Sequence, residues 1–101
     1  DMKKMMNQAQ KMQRDAAAAQ QEIAAMTFEA SAGGGMVKAT ATGEMAITDI
    51  TIDPAAVDPE DVEMLQDMVV AAVNEALRAA SEAANARMNA VMGGMKIPGL
   101  M

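Results

Sequence analysis

The sequence predicts an α+β fold, an α-β-β-β-α protomer in which two long helices flank a three-stranded antiparallel sheet, assembled as a homodimer. Two observations carry the protomer. Residues 2–26 and 59–91 place apolar side chains at steps of three and four, with no Gly and with Pro only at position 59, a helix start. Between them lie short stretches rich in Val, Ile and Thr, separated by glycines. A third observation carries the dimer. At about 1.5 Å per residue the helices reach roughly 37 and 48 Å, whereas strands of about 7 residues span roughly 23 Å, so one small sheet leaves much of both helices uncovered. Joining sheet edges or helix seams across a two-fold axis covers them, and Ala-rich faces let the axes approach closely.

The first helix, residues 2–26, has a seam of Met2, Met5, Ala9, Met12, Ala16, Ala19, Ile23 and Met26. Ala, Gln, Lys and Met, all good helix formers, fill the rest. Thr27 and Phe28 turn the composition toward a strand at 27–32, and Gly33, Gly34 and Gly35 permit a tight reversal. Strands at 36–42 and 45–52 follow, joined through Thr42, Gly43 and Glu44. In the last strand Thr48, Ile50 and Ile52 share one face and Asp49 and Thr51 the other, a pattern that Ile47 interrupts. Asp53 and Pro54 stop it. Asp58 is the expected N-cap of the second helix, Pro59 its first residue, and Glu60, Asp61 and Glu63 sit in the favourable field of its first turn. Its expected stripe is Val62, Leu65, Val69, Ala72, Ala76, Ala79 and Ala83, and a flexible tail is expected over 92–101.

Composition removes several chemistries. The 101 residues contain no Cys, His, Trp or Tyr and a single Phe, so there is no thiol nucleophile, disulfide, imidazole base or thiolate metal site. No cofactor, small-molecule substrate or catalysis is expected. Asp53, Asp58, Asp61 and Glu63 are the only carboxylate group worth weighing as a cation site; their spacing fits no calcium loop and reads as helix capping. Gly33 to Gly35 lack the Lys-Ser/Thr of a phosphate loop. Glu75, Arg78 and Glu82 form a solvated ion-pair ladder. No run of about 18 apolar residues crosses a membrane, and a Cys-free chain suits a reducing cytoplasm.

The net charge of −6 argues against binding a polyanion, but it is an average over opposed blocks. Lys3, Lys4, Lys11 and Arg14 face only Asp1 at the N-terminus, while Glu44 to Asp67 holds eight carboxylates and no cation. On a helical wheel at about 100° per residue, Lys3, Lys4, Asn7, Lys11 and Arg14 fall within an arc of roughly 100°, opposite the Met/Ala seam. Such a stripe meets phosphates, and Asn7, Gln8 and Gln10 add hydrogen bonds that position a protein without reading sequence.

Three segments in order, Ser31-Ala-Gly-Gly-Gly-Met-Val-Lys-Ala-Thr40, Ile50-Thr-Ile-Asp-Pro54 and Glu63-Met-Leu-Gln-Asp-Met-Val-Val-Ala-Ala-Val-Asn-Glu-Ala76, resemble the YbaB/EbfC family of nucleoid-associated proteins. The Gln- and Met-rich basic first helix and Gly93 to Leu100 resemble that family's two ends, so the likeness covers nearly the whole chain. The resemblance implies a nucleoid-located homodimer with projecting helices that binds duplex DNA with limited sequence preference. It places DNA contacts on the helical ends, where Lys3, Lys4, Lys11 and Arg14 match in position and charge and Arg87 is a further candidate. The chain departs from the family over Glu44 to Asp49, where relatives often carry basic residues. With one Phe for base stacking, duplex is favoured over single strands. The alternative is a Met-lined surface, with Met88, Met92 and Met95 exposed, that takes apolar segments of other proteins.

Overall fold

The structure, a computed structural model, describes residues 1–93 and holds α1 (Met2–Ala25), β1 (Thr27–Ala32), β2 (Val37–Thr42), β3 (Ile47–Ile52), a 3-10 turn (Pro54–Ala56) and α2 (Val62–Met92). The sheet order is β1-β2-β3, antiparallel throughout, and the protomer is the α-β-β-β-α form that the patterning predicts. α2 ends at Met92, one residue beyond the expected 91, and the tail expected over 92–101 lies, from residue 94, outside the described residues.

Gly33, Gly34 and Gly35 all have positive φ, which lets the β1–β2 connection reverse within four residues. The β2–β3 connection closes with Met45 N donating to Thr42 O at 3.0 Å and Thr42 N donating to Ala46 O at 2.8 Å. It places Met45 at φ 65°, where a side chain is strained. Met45→Gly is therefore expected to stabilise the fold by about 0.5–1 kcal/mol after the greater freedom of an unfolded glycine is offset, read as a higher thermal midpoint. A lower midpoint would mean that the Met45 side chain contributes more packing than its backbone strain costs.

Several local details differ from the sequence-based expectation: α1 ends at Ala25 rather than 26, and β2 and β3 begin at Val37 and Ile47 rather than 36 and 45. The β2–β3 pairing shifts between Thr40 and Ala41: Asp49 pairs with Thr40 but Ile47 pairs with Ala41, so Thr48 is the extra residue of a bulge. The bulge resets the two-residue period, and Ile47 joins Ile50 and Ile52 on the face of Ala41, Ala39 and Val37. The second helix begins at Val62 rather than 59, with Asp61 and not Asp58 as its cap, its carboxylate accepting from Met64 N at 3.2 Å. Asp58 instead accepts from Glu60 N at 2.9 Å and, through its carbonyl, from Asp61 N at 3.0 Å, a turn that seats Pro59 at its second position. Asp-Pro suits that turn as well as a helix start, and the second Asp three residues later takes the cap.

The core is thin and built from small residues. Val37, Ala39 and Ala41 on β2 bury against Ala72, Ala76 and Ala80 on α2, with Phe28, Ala30, Leu65, Val69 and Val73 closing the sides. The buried stripe of α2 steps by four from Ala72, so Ala80 takes the place expected for Ala79, and Val62 is exposed. α2 lies over β1 and β2, leaving the same face of β3 bare: Ile50 and Ile52 remain 40% and 37% exposed.

Candidate nucleic-acid interface

α1 meets the body only through its second half. Ala19 and Ile23 are buried and Met12 and Ala16 half-buried, whereas every residue from Asp1 to Lys11 is exposed. The helix turns into β1 where Met26 N donates to Ile23 O at 3.0 Å. There Gly43 N donates to Met26 O at 3.1 Å, and a Cβ on Gly43 would overlap the Ile23 carbonyl. This close approach of the β2–β3 turn anchors the base of α1.

Asp15, Ala18, Ala19 and Glu22 face Arg87, Ala90 and Val91 across a shallow groove of about 390 Å³, so α1 and the last turns of α2 leave the sheet side by side and antiparallel. The molecule is elongated, 71 × 27 × 16 Å. Gly43, next to Ile23, marks the start of the acidic run, and Lys3 lies 20 residues farther along α1, about 30 Å at helical rise. That exceeds the roughly 8 Å over which physiological salt screens exposed charges. The opposed charge blocks thus occupy opposite ends of the protomer.

Lys3, Lys4, Lys11 and Arg14 are all exposed and, among the described residues, none forms an ion pair. Asp1, the one anion among them in sequence, caps the helix by accepting from Lys3 N at 3.0 Å. Arg87 differs. Its guanidinium reaches back to Glu22 on α1, with Nε at 3.0 Å and Nη2 at 2.9 Å from Oε2. The last buried residue of α2 is Ala80, so the helix has left the core by Arg87, but α1 still lies alongside and the arginine ties the two helices together. Sequence reading missed Glu22 because 65 residues separate it from its partner.

The remaining charges are structural. Arg78 bridges Glu75 and Glu82 on the solvent side of α2, a hydrogen bond and charge attraction that hold the Glu75 carboxyl below the usual carboxylate range. A lowered native pKa favours folding above the unfolded carboxylate range and loses that contribution as pH falls through the native value, so the ladder opens only in acid. Asp53, Asp58 and Asp61 each accept a local backbone N–H, and among the described residues no group of three or more acidic or other ligating side chains is placed to hold a metal. Of the methionines expected to be exposed, Met92 is exposed, Met88 is half-buried and Met95 lies outside the described residues; among the described residues the barest are Met2, Met5 and Met6 on α1. Among the described residues no helix is long and apolar enough to cross a membrane.

A small sheet carrying a projecting cationic helix defines a scaffold that presents charge on a rod rather than enclosing a substrate. Residues 1–95 match the YbaB/EbfC DNA-binding family, and the chain belongs to that family, one of DNA-binding proteins and not of enzymes. A nucleoid-associated protein of Ruminiclostridium cellulolyticum is 52% identical over 101 residues, covering 99% of this chain and 88% of the relative. Another, from Acetivibrio thermocellus, is 56% identical over 97 residues, with 95% and 86% covered. The crystal structure of an uncharacterized Helicobacter pylori protein superposes with a TM-score of 0.73 at 22% identity, over 95% of this chain and 98% of that one, and shares the fold.

Proposed function

We propose that the protein is a nucleoid-associated homodimer that lies on duplex DNA with Lys3, Lys4, Lys11 and Arg14 of each protomer against the phosphates, with little preference for sequence. One observation carries this reading: four exposed cations that form no ion pair among the described residues stand on one side of α1, three of them on its exposed half, far from the acidic run, in a member of a DNA-binding family. Phosphate contacts from Lys and Arg supply affinity and orientation but no base readout. The curated relatives are themselves named nucleoid-associated proteins.

Dimerisation is supported by the bare side of the sheet. β3 ends the sheet with an unpaired edge among the described residues, Ile50 and Ile52 lack a covering helix, and Val57, Val62 and Met64 are exposed on the segment that follows. A two-fold pairing there buries these side chains and leaves both α1 rods free. Sedimentation together with gel retardation on several unrelated duplexes tests the proposal. A dimer mass and affinities that agree within about tenfold, far below the roughly 10³-fold or greater preference of specific binders, support it. A monomer, or one strongly preferred sequence, contradicts it.

Arg87 contributes to this surface only when Glu22 lets it go. Glu22→Ala is expected to cost under about 1 kcal/mol of stability, since the pair is half-exposed. It frees one further cation per protomer and should steepen the salt dependence of DNA binding from a slope near −7 toward about −9. An unchanged slope means that Arg87 does not reach the duplex.

A further inference from the structure

The exposed half of α1 has a second side, which carries methionines rather than cations. Met2, Met5 and Met6 are 77%, 67% and 61% exposed; Met2 and Met5, with Ala9, continue the seam whose lower part, Met12, Ala16, Ala19 and Ile23, packs against the body, and Met6 flanks it. The described part of α2 ends beside Asp15 and Ala18, so it does not reach these turns. Three adjacent large apolar side chains in water, at the spacing that seats helix on helix, form a contact surface rather than scattered exposed residues.

We infer that this methionine seam is an interface for a second copy of the chain, belonging to a neighbouring dimer, and that it links dimers bound along or between duplexes. Charge selects that occupant. Lys3, Lys4, Lys11 and Arg14 lie about 100° or more from Met2 and Met5 on the wheel, with Met6 on the flank between Met2 and Lys3, so two α1 rods meet seam to seam with their cations turned outward. Each rod then keeps a phosphate-facing side while its other side is buried. The same placement limits the contact in free solution. Three Met and one Ala from each copy fall well short of the roughly 1,000 Å² that a stable interface clears, and the net charge of −6 repels whole molecules. On DNA the duplex neutralises the rods' like charges and raises the local concentration of dimers toward the millimolar range, where a small contact suffices. The inference rests on the proposed DNA binding for its setting, but the seam itself is testable without DNA.

The absence of Cys makes single-thiol variants clean. Met5→Cys at the centre of the seam and Asn7→Cys on the basic side are treated with a short bis-maleimide, once with a long duplex at micromolar protein and once without DNA at about 1 mM protein, the local concentration to be matched. Met5→Cys is expected to give covalently paired chains whose mass under native conditions, after any DNA is digested, rises above that of a dimer in both arms, and Asn7→Cys to give none. Separately, Met2→Gln/Met5→Gln/Met6→Gln should bind a duplex with room for one dimer as the wild type does, while its cooperative binding to long duplex falls to a Hill coefficient of 1. Equal cross-linking of the two thiols, a native mass after cross-linking that stops at the dimer, a Met5→Cys thiol shielded from maleimide within its own protomer, or unchanged cooperativity in the Gln variant each overturns the inference. A wild type that ignores duplex but whose Met5→Cys variant still cross-links to native masses above the dimer without DNA refutes the DNA reading and leaves the seam standing.

Discussion

Replacing Lys3, Lys4, Lys11 and Arg14 together with Ala is expected to weaken duplex binding by at least about 10³-fold at 0.1 M salt while the dimer mass and thermal midpoint stay near wild type. All four side chains are exposed, and none forms an ion pair among the described residues, so truncation removes charge without opening a cavity. Ala is also the best helix former, which protects α1 itself. The loss follows from counterions: each cation that meets a phosphate releases condensed salt, and removing eight such groups from a dimer removes that entropy. Removing Lys38 from the solvent face of β2, where it stands beside Ser31 and Thr51, should by comparison change binding little. If the quadruple variant binds as tightly as the wild type, the DNA lies elsewhere on the molecule.

The largest structural effect is expected from Gly43→Ala. Its φ is not in the left-handed region, so the need for glycine is one of space: an added Cβ would overlap the carbonyl of Ile23, and backbone cannot swing aside as a side chain would. Either the β2–β3 turn or the base of α1 must move, breaking the bond from Gly43 N to Met26 O and opening the buried contact of Ile23. A cost of about 2 kcal/mol or more is in keeping with overpacking at a rigid site. For a chain of this length that lowers the thermal midpoint by roughly 10 °C, compared at fixed protein concentration because the species is proposed to be a dimer. DNA affinity should fall as well, since the angle of α1 to the sheet sets where its cations stand. An unchanged midpoint would show that the turn does not grip Ile23 as described.

Much of this architecture is written in local patterns. The three-and-four spacing of α1, the glycine triplet and the Val/Ile/Thr strands each act over a few residues, and each element appears where its pattern lies. Details decided at a distance were not legible. The bulge at Thr48 depends on how β3 meets β2, and only then does Ile47 turn inward. Asp58 and Asp61 are equivalent caps by sequence; the turn at 58–61 separates them. Choosing Ala80 over Ala79 requires knowing that α2 crosses the sheet along a stripe of four-residue steps. At the candidate interface the four cations and their shared arc are visible on a helical wheel, because position on a helix is a local property. That Arg87 is bound to Glu22, and that Met2, Met5 and Met6 on α1 are more exposed than Met88 and Met92 near the end of α2, emerge only when the helices are laid side by side.

The most direct test of the central claim, that an anionic protein holds duplex DNA through the basic sides of paired α1 helices, is the salt dependence of binding. With eight phosphate contacts per dimer, the logarithm of the association constant should fall against the logarithm of salt concentration with a slope near −7, and near zero for the quadruple Ala variant. A wild-type slope close to zero, or one that the four substitutions leave unchanged, contradicts it.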